Sequence, residues 1–161
     1  MGLALRVLVV VTSLLTIPSP AIAGPLDPPL HHSMGTDLAY VEQLLYATPL
    51  PVFVSLAAAT RDRWFDWSTD LCSAPLVGST GRSFDFRAAC RRHDFGYRNL
   101  KLLDRRWGAG RFWTAPARRR VDGQFLGDMR AHCIVRPWWE RTTCLGWSET
   151  YFRAVRVAGG P

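Results

Sequence analysis

The sequence predicts an all-α fold, a compact bundle of about five helices, and three observations carry that prediction. Apolar residues recur at helical spacing in five separate stretches, no run alternates apolar and polar residues convincingly, and clusters of Pro and Gly punctuate the stretches. With 161 residues the chain is long enough for one domain with a core of its own.

The first stretch stands apart from that core. Arg6 precedes an apolar run from Val7 to Ile17, and Ala21-Ile22-Ala23 supplies a small-x-small cleavage pattern, so residues 1–23 read as a secretory signal peptide. The run is too short to span a bilayer. The expected location is therefore secreted and extracellular. Residues 24–35, opening with "GPLDPPLHH", lack periodicity and read as a flexible Pro-rich leader, in which the adjacent His31 and His32 are more simply incidental than a metal pair. Residues 36–161 form the helical domain.

Within it, Thr36 is the expected cap of a first helix through Leu38, Val41, Leu44 and Leu45, stopped by Pro49 and Pro51. A second pattern runs from Val52 to Trp64. "FDWSTDLCSAPLVGSTGRS" breaks periodicity as a long loop, and long loops inside compact domains usually have a job. Ser83 then caps a helix from Phe84 to about Asp104, with Asp85 in its first turn. Thr114 caps another, which tolerates Pro116 and reaches about Cys133. Thr142 or Thr143 starts the last helix, through Trp147, Tyr151 and Val155. The two long central helices are expected to pack against each other.

Export changes how the cysteines read. Cys72, Cys90, Cys133 and Cys144 are an even set, and thiols pair in an oxidising compartment. Three pairings are open. A zinc site is disfavoured because the spacings lack a doubled C-x-x-C. The net charge of +7 becomes +7 − 1 = +6 once Arg6 is removed, and Lys101 is the only lysine. Such a basic, Trp-rich chain suits nucleic acid, anionic lipid or acidic polymers, and a merely solubilising basic face explains the charge as well.

At about 100° per residue, Phe86, Ala89, Gly96, Tyr97 and Leu100 all fall within about 60° of His93, which places that histidine mid-face on an apolar stripe. The plain reading is a core histidine with satisfied nitrogens. Asp122 alters the balance, because Phe125, Leu126, Met129 and Cys133 follow it at spacings that put it at the centre of the next helix's apolar face. A carboxylate on a packing face needs a partner. Packing His93 against Asp122 satisfies both, fixes one imidazole tautomer and leaves the other nitrogen to take a proton. Asp128 lies toward the flank and is the poorer candidate. Gly96 lets the two backbones approach, and the Tyr97 hydroxyl reaches the same carboxylate. A purely structural His-Asp-Tyr network is the competing reading.

No Ser or Cys stands in a nucleophile-elbow pattern, so the nucleophile expected is a water activated by neutral His93, with activity falling on acidification. Asp94 projects about 100° from His93, onto the flank of Cys90. If Cys90 bridges to Cys72, then Asp70 and Leu71 are pinned beside that flank and hard oxygen ligands converge, which suits calcium. The simpler alternative pairs Asp94 with Arg98 at i+4.

"FDWSTDLC", "ACRRHDFGYRN", "RRRVDGQFLGDM" and "TTCLGWSETYFRAV" together resemble the secreted phospholipase A2 family of bacterial and fungal type, over roughly Trp64 to Gly159. The resemblance implies that His93 is the general base, Asp122 its orienting partner and Tyr97 a support for the aspartate. It implies Asp70, Asp94 and the Leu71 carbonyl as calcium (Ca2+) ligands, and bridges Cys72–Cys90 and Cys133–Cys144. The implied fold is an all-α bundle whose two long central helices run antiparallel and carry the site. The implied activity is calcium-dependent hydrolysis of the sn-2 ester of glycerophospholipids by a monomer, at an anionic membrane or micelle surface, with no nucleic acid partner. Trp113, Trp138 and Trp139, set among arginines, then read either as an interfacial rim or as packing residues. The connection "LLDRRWGAGRFWTAPARRR" and the loop "RPWWERT" depart from the family pattern.

Two rivals come from other classes. A metal phosphohydrolase or nuclease also uses adjacent His and Asp as metal ligands, but wants further histidines, and only the leader pair and His132 remain. A non-catalytic lipid-binding or membrane-active module would share the fold, yet His93, Asp94 and Asp122 are all kept.

Overall fold

In the computed structural model the described residues are 26–60, 62–71, 84–108 and 110–158. Among them are five α-helices and no strand. Helix α1 (Met34–Glu42) runs into a π-helical turn (Gln43–Ala47), followed by α2 (Leu50–Ala59), α3 (Arg87–Trp107), α4 (Ala115–Ile134) and α5 (Trp138–Ala158).

Several helix ends differ from the sequence expectation, each for a local reason. The cap of α1 is Ser33, three residues before Thr36. The Ser33 hydroxyl accepts from Thr36 N–H at 3.2 Å, while Thr36 Oγ1 accepts from Ser33 N–H at 2.9 Å, a reciprocal capping box. Helix α2 begins earlier than expected, because Pro49 and Pro51 fit its start, and it stops at Ala59 rather than Trp64, where Thr60 turns extended. Helix α3 starts at Arg87, whose backbone N–H is accepted by Asp85 at 3.0 Å; Ser83, its expected cap, lies outside the described residues. Thr114 caps α4 as expected, accepting from Ala117 N–H at 3.3 Å. Helix α5 begins at Trp138, before the threonines expected to start it.

Two apolar clusters form the core. One joins Val41, Leu44, Leu45, Phe53, Phe95, Leu103 and Val121; the other joins Phe86, Cys90, Phe125, Met129, Cys133, Cys144 and Tyr151. The candidate site residues His93, Tyr97 and Asp122 lie on α3 and α4 where the clusters meet. Gly96 lets these helices close up, since a Cβ there would stand 2.9 Å from both Leu45 Cδ2 and Val121 Cγ1.

Buried polar groups tie the helices together. Arg92 grips Asp128 through Nε at 2.9 Å and Nη2 at 3.0 Å, and its Nη1 donates to the carbonyls of Leu45 and Thr48 at the end of the π-helical turn. The carboxylate of Asp37, fully buried, accepts from His32 Nδ1, Trp64 Nε1 and Trp107 Nε1 at 2.7, 2.8 and 3.0 Å. His32 also stacks on Trp64 and so ties the segment before α1 to the body.

The α3–α4 connection, one of the two stretches expected to depart from the family pattern, is organised by Asp104. Its carboxylate collects the backbone N–H groups of Arg111, Phe112 and Trp113. Gly108 and Gly110 supply the positive φ angles of 142° and 81° that the tight path needs. Of the two expected disulfides, Cys133–Cys144 is present and joins α4 to α5. Cys90 is disulfide-bonded, but Cys72, its implied partner, lies outside the described residues.

Candidate active site

His93 and Asp122 meet between α3 and α4. His93 Nε2 stands 2.9 Å from Asp122 Oδ1, with the histidine 7% exposed and the aspartate 0% exposed. An ionised carboxylate can only accept, so Nε2 carries the ring proton and Nδ1 is the nitrogen left able to bind one. The ring is held between Tyr97 and Phe125, at centroid distances of 4.2 and 4.8 Å.

Tyr97 donates its hydroxyl to the same Oδ1 at 2.6 Å. Burial and the hydrogen bond to the Asp122 carboxylate push the tyrosine O–H well above its ordinary range, so it remains a donor at any working pH. Two arginines complete the shell around Asp122. Arg156 Nη1, from the last turn of α5, reaches Oδ2 at 2.7 Å, and Arg118 Nε stands 3.8 Å from it, one turn earlier on α4. Arg118 also donates to the Tyr97 hydroxyl at 3.2 Å and to the terminal carbonyls of Val155 and Arg156. Burial alone would push the Asp122 acid upward, but hydrogen bonds from His93, Tyr97 and Arg156 outweigh it and hold the group below its ordinary range.

Neither arginine stood out in the sequence. Arg118 carries a usable signal, an i,i+4 pair with Asp122. Arg156 carries none, because 34 residues separate it from its partner. Asn99 was also missed. Fully buried, it accepts from Asp66 N–H at 2.9 Å and donates to Asp66 C=O at 2.8 Å, fastening the loop before residue 71 to α3.

That loop arrives beside Asp94. Thr69 Oγ1 donates to Asp94 Oδ2 at 2.5 Å and Asp70 N–H donates to the same oxygen at 3.1 Å. The alternative Asp94–Arg98 pair does not form; Arg98 instead lies 3.6 Å from Asp70 and donates to Ser68 Oγ. Leu71 has φ of 55°, the sole non-glycine residue with positive φ among the described residues. Burial pushes the Asp94 acid up, and the nearby Asp70 charge adds to that. Two neighbouring carboxylates beside a constrained backbone are a donor set suited to a hard cation. No group of three or more His, Cys, Asp or Glu side chains suited to a metal occurs among the described residues, so a cation here would draw the rest of its shell from carbonyls and water.

Other predicted residues separate from the site. Asp128 pairs with Arg92. His132 meets Arg136 and the edge of Phe86, and burial lowers its pKa. Trp113 is not on a rim: it packs against Tyr97 at 4.5 Å beneath the Lys101 ammonium, whereas Trp138 and Trp139 are exposed. No described helix is long and apolar enough to cross a membrane.

A family model described as prokaryotic phospholipase A2 matches residues 41–159. A protein of Beauveria bassiana named "Secretory phospholipase A2" is 32% identical over 149 residues, spanning 92% of this chain and 70% of the relative. One of Arthroderma benhamiae with the same name is 31% identical over 124 residues, 75% of this chain and 78% of the relative.

Proposed function

Because the chain belongs to the prokaryotic phospholipase A2 family, we propose that it is a secreted, calcium-dependent phospholipase A2 that cuts the sn-2 ester of glycerophospholipids with water activated by His93. The observation that carries this reading is the 2.9 Å contact from His93 Nε2 to a fully buried Asp122. It makes Nδ1 the basic nitrogen and orients it.

In the first step a water O–H gives its proton to Nδ1 while the water oxygen bonds to the sn-2 carbonyl carbon. Asp122 stabilises the imidazolium that forms and holds the ring in place. In the second step the bond from carbon to the glycerol oxygen breaks, and Nδ1–H returns its proton to that oxygen. A fatty acid and a lysophospholipid leave. Tyr97 stays protonated throughout and keeps Oδ1 aimed at the ring.

Asp70, Asp94 and the Leu71 carbonyl would hold the calcium ion, which when bound supplies positive charge for the substrate phosphate and the developing oxyanion. Thr69 and Asn99 hold the loop that bears Asp70 and Leu71 against α3, which carries Asp94. The pairs Phe86–His132, Arg92–Asp128, His93–Asp122 and Tyr97–Arg118 rise along α3 as they fall along α4, which supports an antiparallel central pair. We read Cys72 as the partner of Cys90, which would fix the end of the calcium loop to α3. The arginine excess supports an anionic phospholipid surface as the place of work.

The test uses mature protein and mixed micelles of phospholipid labelled at sn-1 or sn-2, with calcium or a chelator. Release of the sn-2 label, abolished by chelation and in His93→Asn, is expected. Release insensitive to chelator would sink the calcium role, and no release from any lipid would leave only a binding module.

A further inference from the structure

Nine large apolar side chains are exposed among the described residues, and five of them, Ile134, Val135, Trp138, Trp139 and Leu145, fall within one twelve-residue stretch around the α4–α5 turn. Ile134 is 62% exposed, Val135 82%, Trp138 76% and Trp139 64%. A cluster of this kind is costly in water unless something covers it.

The turn is built to keep those side chains out. The Cys133–Cys144 bridge closes its base. Arg136 N–H bonds Cys133 C=O at 3.1 Å, Glu140 N–H bonds Pro137 C=O at 3.0 Å, and Arg141 Nε donates to Arg136 C=O at 2.8 Å. The two indoles stand edge to face at 5.7 Å. With the turn pinned in this way, both indoles stand out from the body into solvent.

Its charges select the occupant. Arg136 and Arg141 stand in the stretch against Glu140, a balance of 2 − 1 = +1, on a basic chain. Amphipathic indoles flanked by arginine suit the headgroup region of an anionic bilayer better than a second copy of this basic chain, which would bring like charge to like charge. Location agrees. Arg136 lies over the Phe84 ring and His132 against Phe86, so the turn sits at the N-terminal end of α3, and His93 is about 9 Å along that helix from its start.

We propose that the α4–α5 turn is the membrane-docking element: Trp138, Trp139, Ile134 and Val135 insert at an anionic phospholipid surface while Arg136 and Arg141 meet its headgroups. This rests on the phospholipase reading for its purpose, but is tested apart from it. Full-length mature protein would be floated with vesicles of phosphatidylcholine containing phosphatidylglycerol, and with phosphatidylcholine alone, in chelator so that no hydrolysis occurs. Binding to the anionic vesicles is expected, weakened at least about tenfold in Trp138→Ala/Trp139→Ala. Arg136→Gln/Arg141→Gln should lose the preference for anionic vesicles.

Both variants should retain the wild-type melting temperature within a few degrees and cleave a short-chain phospholipid below its micelle concentration at the wild-type rate. Unaltered vesicle binding by the tryptophan variant would overturn the proposal. So would a wild-type dimer that the same variant dissociates, which would make the turn an interface between copies. Failure of the wild type to cleave the short-chain substrate would instead sink the phospholipase reading, and vesicle flotation would still decide the docking element.

Discussion

Substituting Gly96 with Ala sets two effects of known sign against each other. In an ordinary helix interior the change favours folding by about 1 kcal/mol, because glycine loses more backbone freedom than alanine. Here the new methyl would stand 2.9 Å from Leu45 Cδ2 and from Val121 Cγ1, and 3.3 Å from Val121 Cγ2. Leu45 can yield at the end of its chain. Val121 cannot turn aside as easily, being β-branched on a helix and 1% exposed. Overpacking of this kind costs about 1–3 kcal/mol, so the net expectation is a loss of about 1 kcal/mol. Urea unfolding followed by circular dichroism measures it. Asp122 follows Val121 directly, so pushing α4 outward should also stretch the 2.9 Å contact to His93 and lower kcat. Val121→Ala in the same chain should recover part of both losses. A Gly96→Ala protein more stable than wild type by the full propensity gain would refute the close-approach account.

The remaining predictions concern charges at the site. Arg156→Gln should lower kcat on the order of tenfold with little change in KM, since the arginine touches only the dyad's carboxylate, and Arg156→Lys should recover part of it. Equal loss in both variants would argue against a charge-assisted positioning role. Asp94→Asn should melt above wild type in chelator. Burial raises the folded acid, so its ionised form costs stability at neutral pH, and that cost disappears as pH falls below the folded value. Calcium should then raise the melting temperature of wild type but not of this variant; a calcium-induced rise in both would move the cation elsewhere. Asp122 has the opposite sign. Its folded acid is depressed, so its contribution is present above the ordinary carboxylate value of about 3.9 and is lost as pH falls through the folded value. The stability gap between wild type and Asp122→Asn, measured by urea titration, should therefore narrow below about pH 4.

What was legible in the sequence was whatever helical periodicity encodes. His93 and Asp122 each broke an otherwise apolar stripe, and two such breaks on long neighbouring helices have one economical solution, which is the contact found. Gly96 and Tyr97 followed from the same wheel. Helix ends were less legible, because a cap is decided by which of several nearby hydroxyls reaches a backbone N–H. Ser33 and Thr36 share that role in a box that a single-residue reading splits wrongly. Arg156 and Asn99 were invisible because their partners come from other elements, and no local pattern distinguishes a site arginine from the others on so arginine-rich a chain. Trp113 stayed undecided for a related reason: its arginine-rich neighbours allowed a rim as well as a packing role, and only its contacts under Lys101 onto Tyr97 choose packing.

The surroundings of Asp122 also bear on how the dyad shares charge. Its two oxygens divide the work, Oδ1 taking His93 and Tyr97 while Oδ2 faces Arg156 and Arg118. A fully buried carboxylate with one partner would be costly, and its most direct relief would be to take a proton. Two guanidinium groups and a phenol that cannot ionise at working pH remove that option. In the proposed mechanism Asp122 would then remain an anion before and after the imidazole is charged, and would stabilise the imidazolium without accepting its proton. Placing Arg118 one helical turn from Asp122 and Arg156 at the end of α5 ties the charged state of Asp122 to the packing of the last helix, and links the integrity of α5 to the candidate site between α3 and α4.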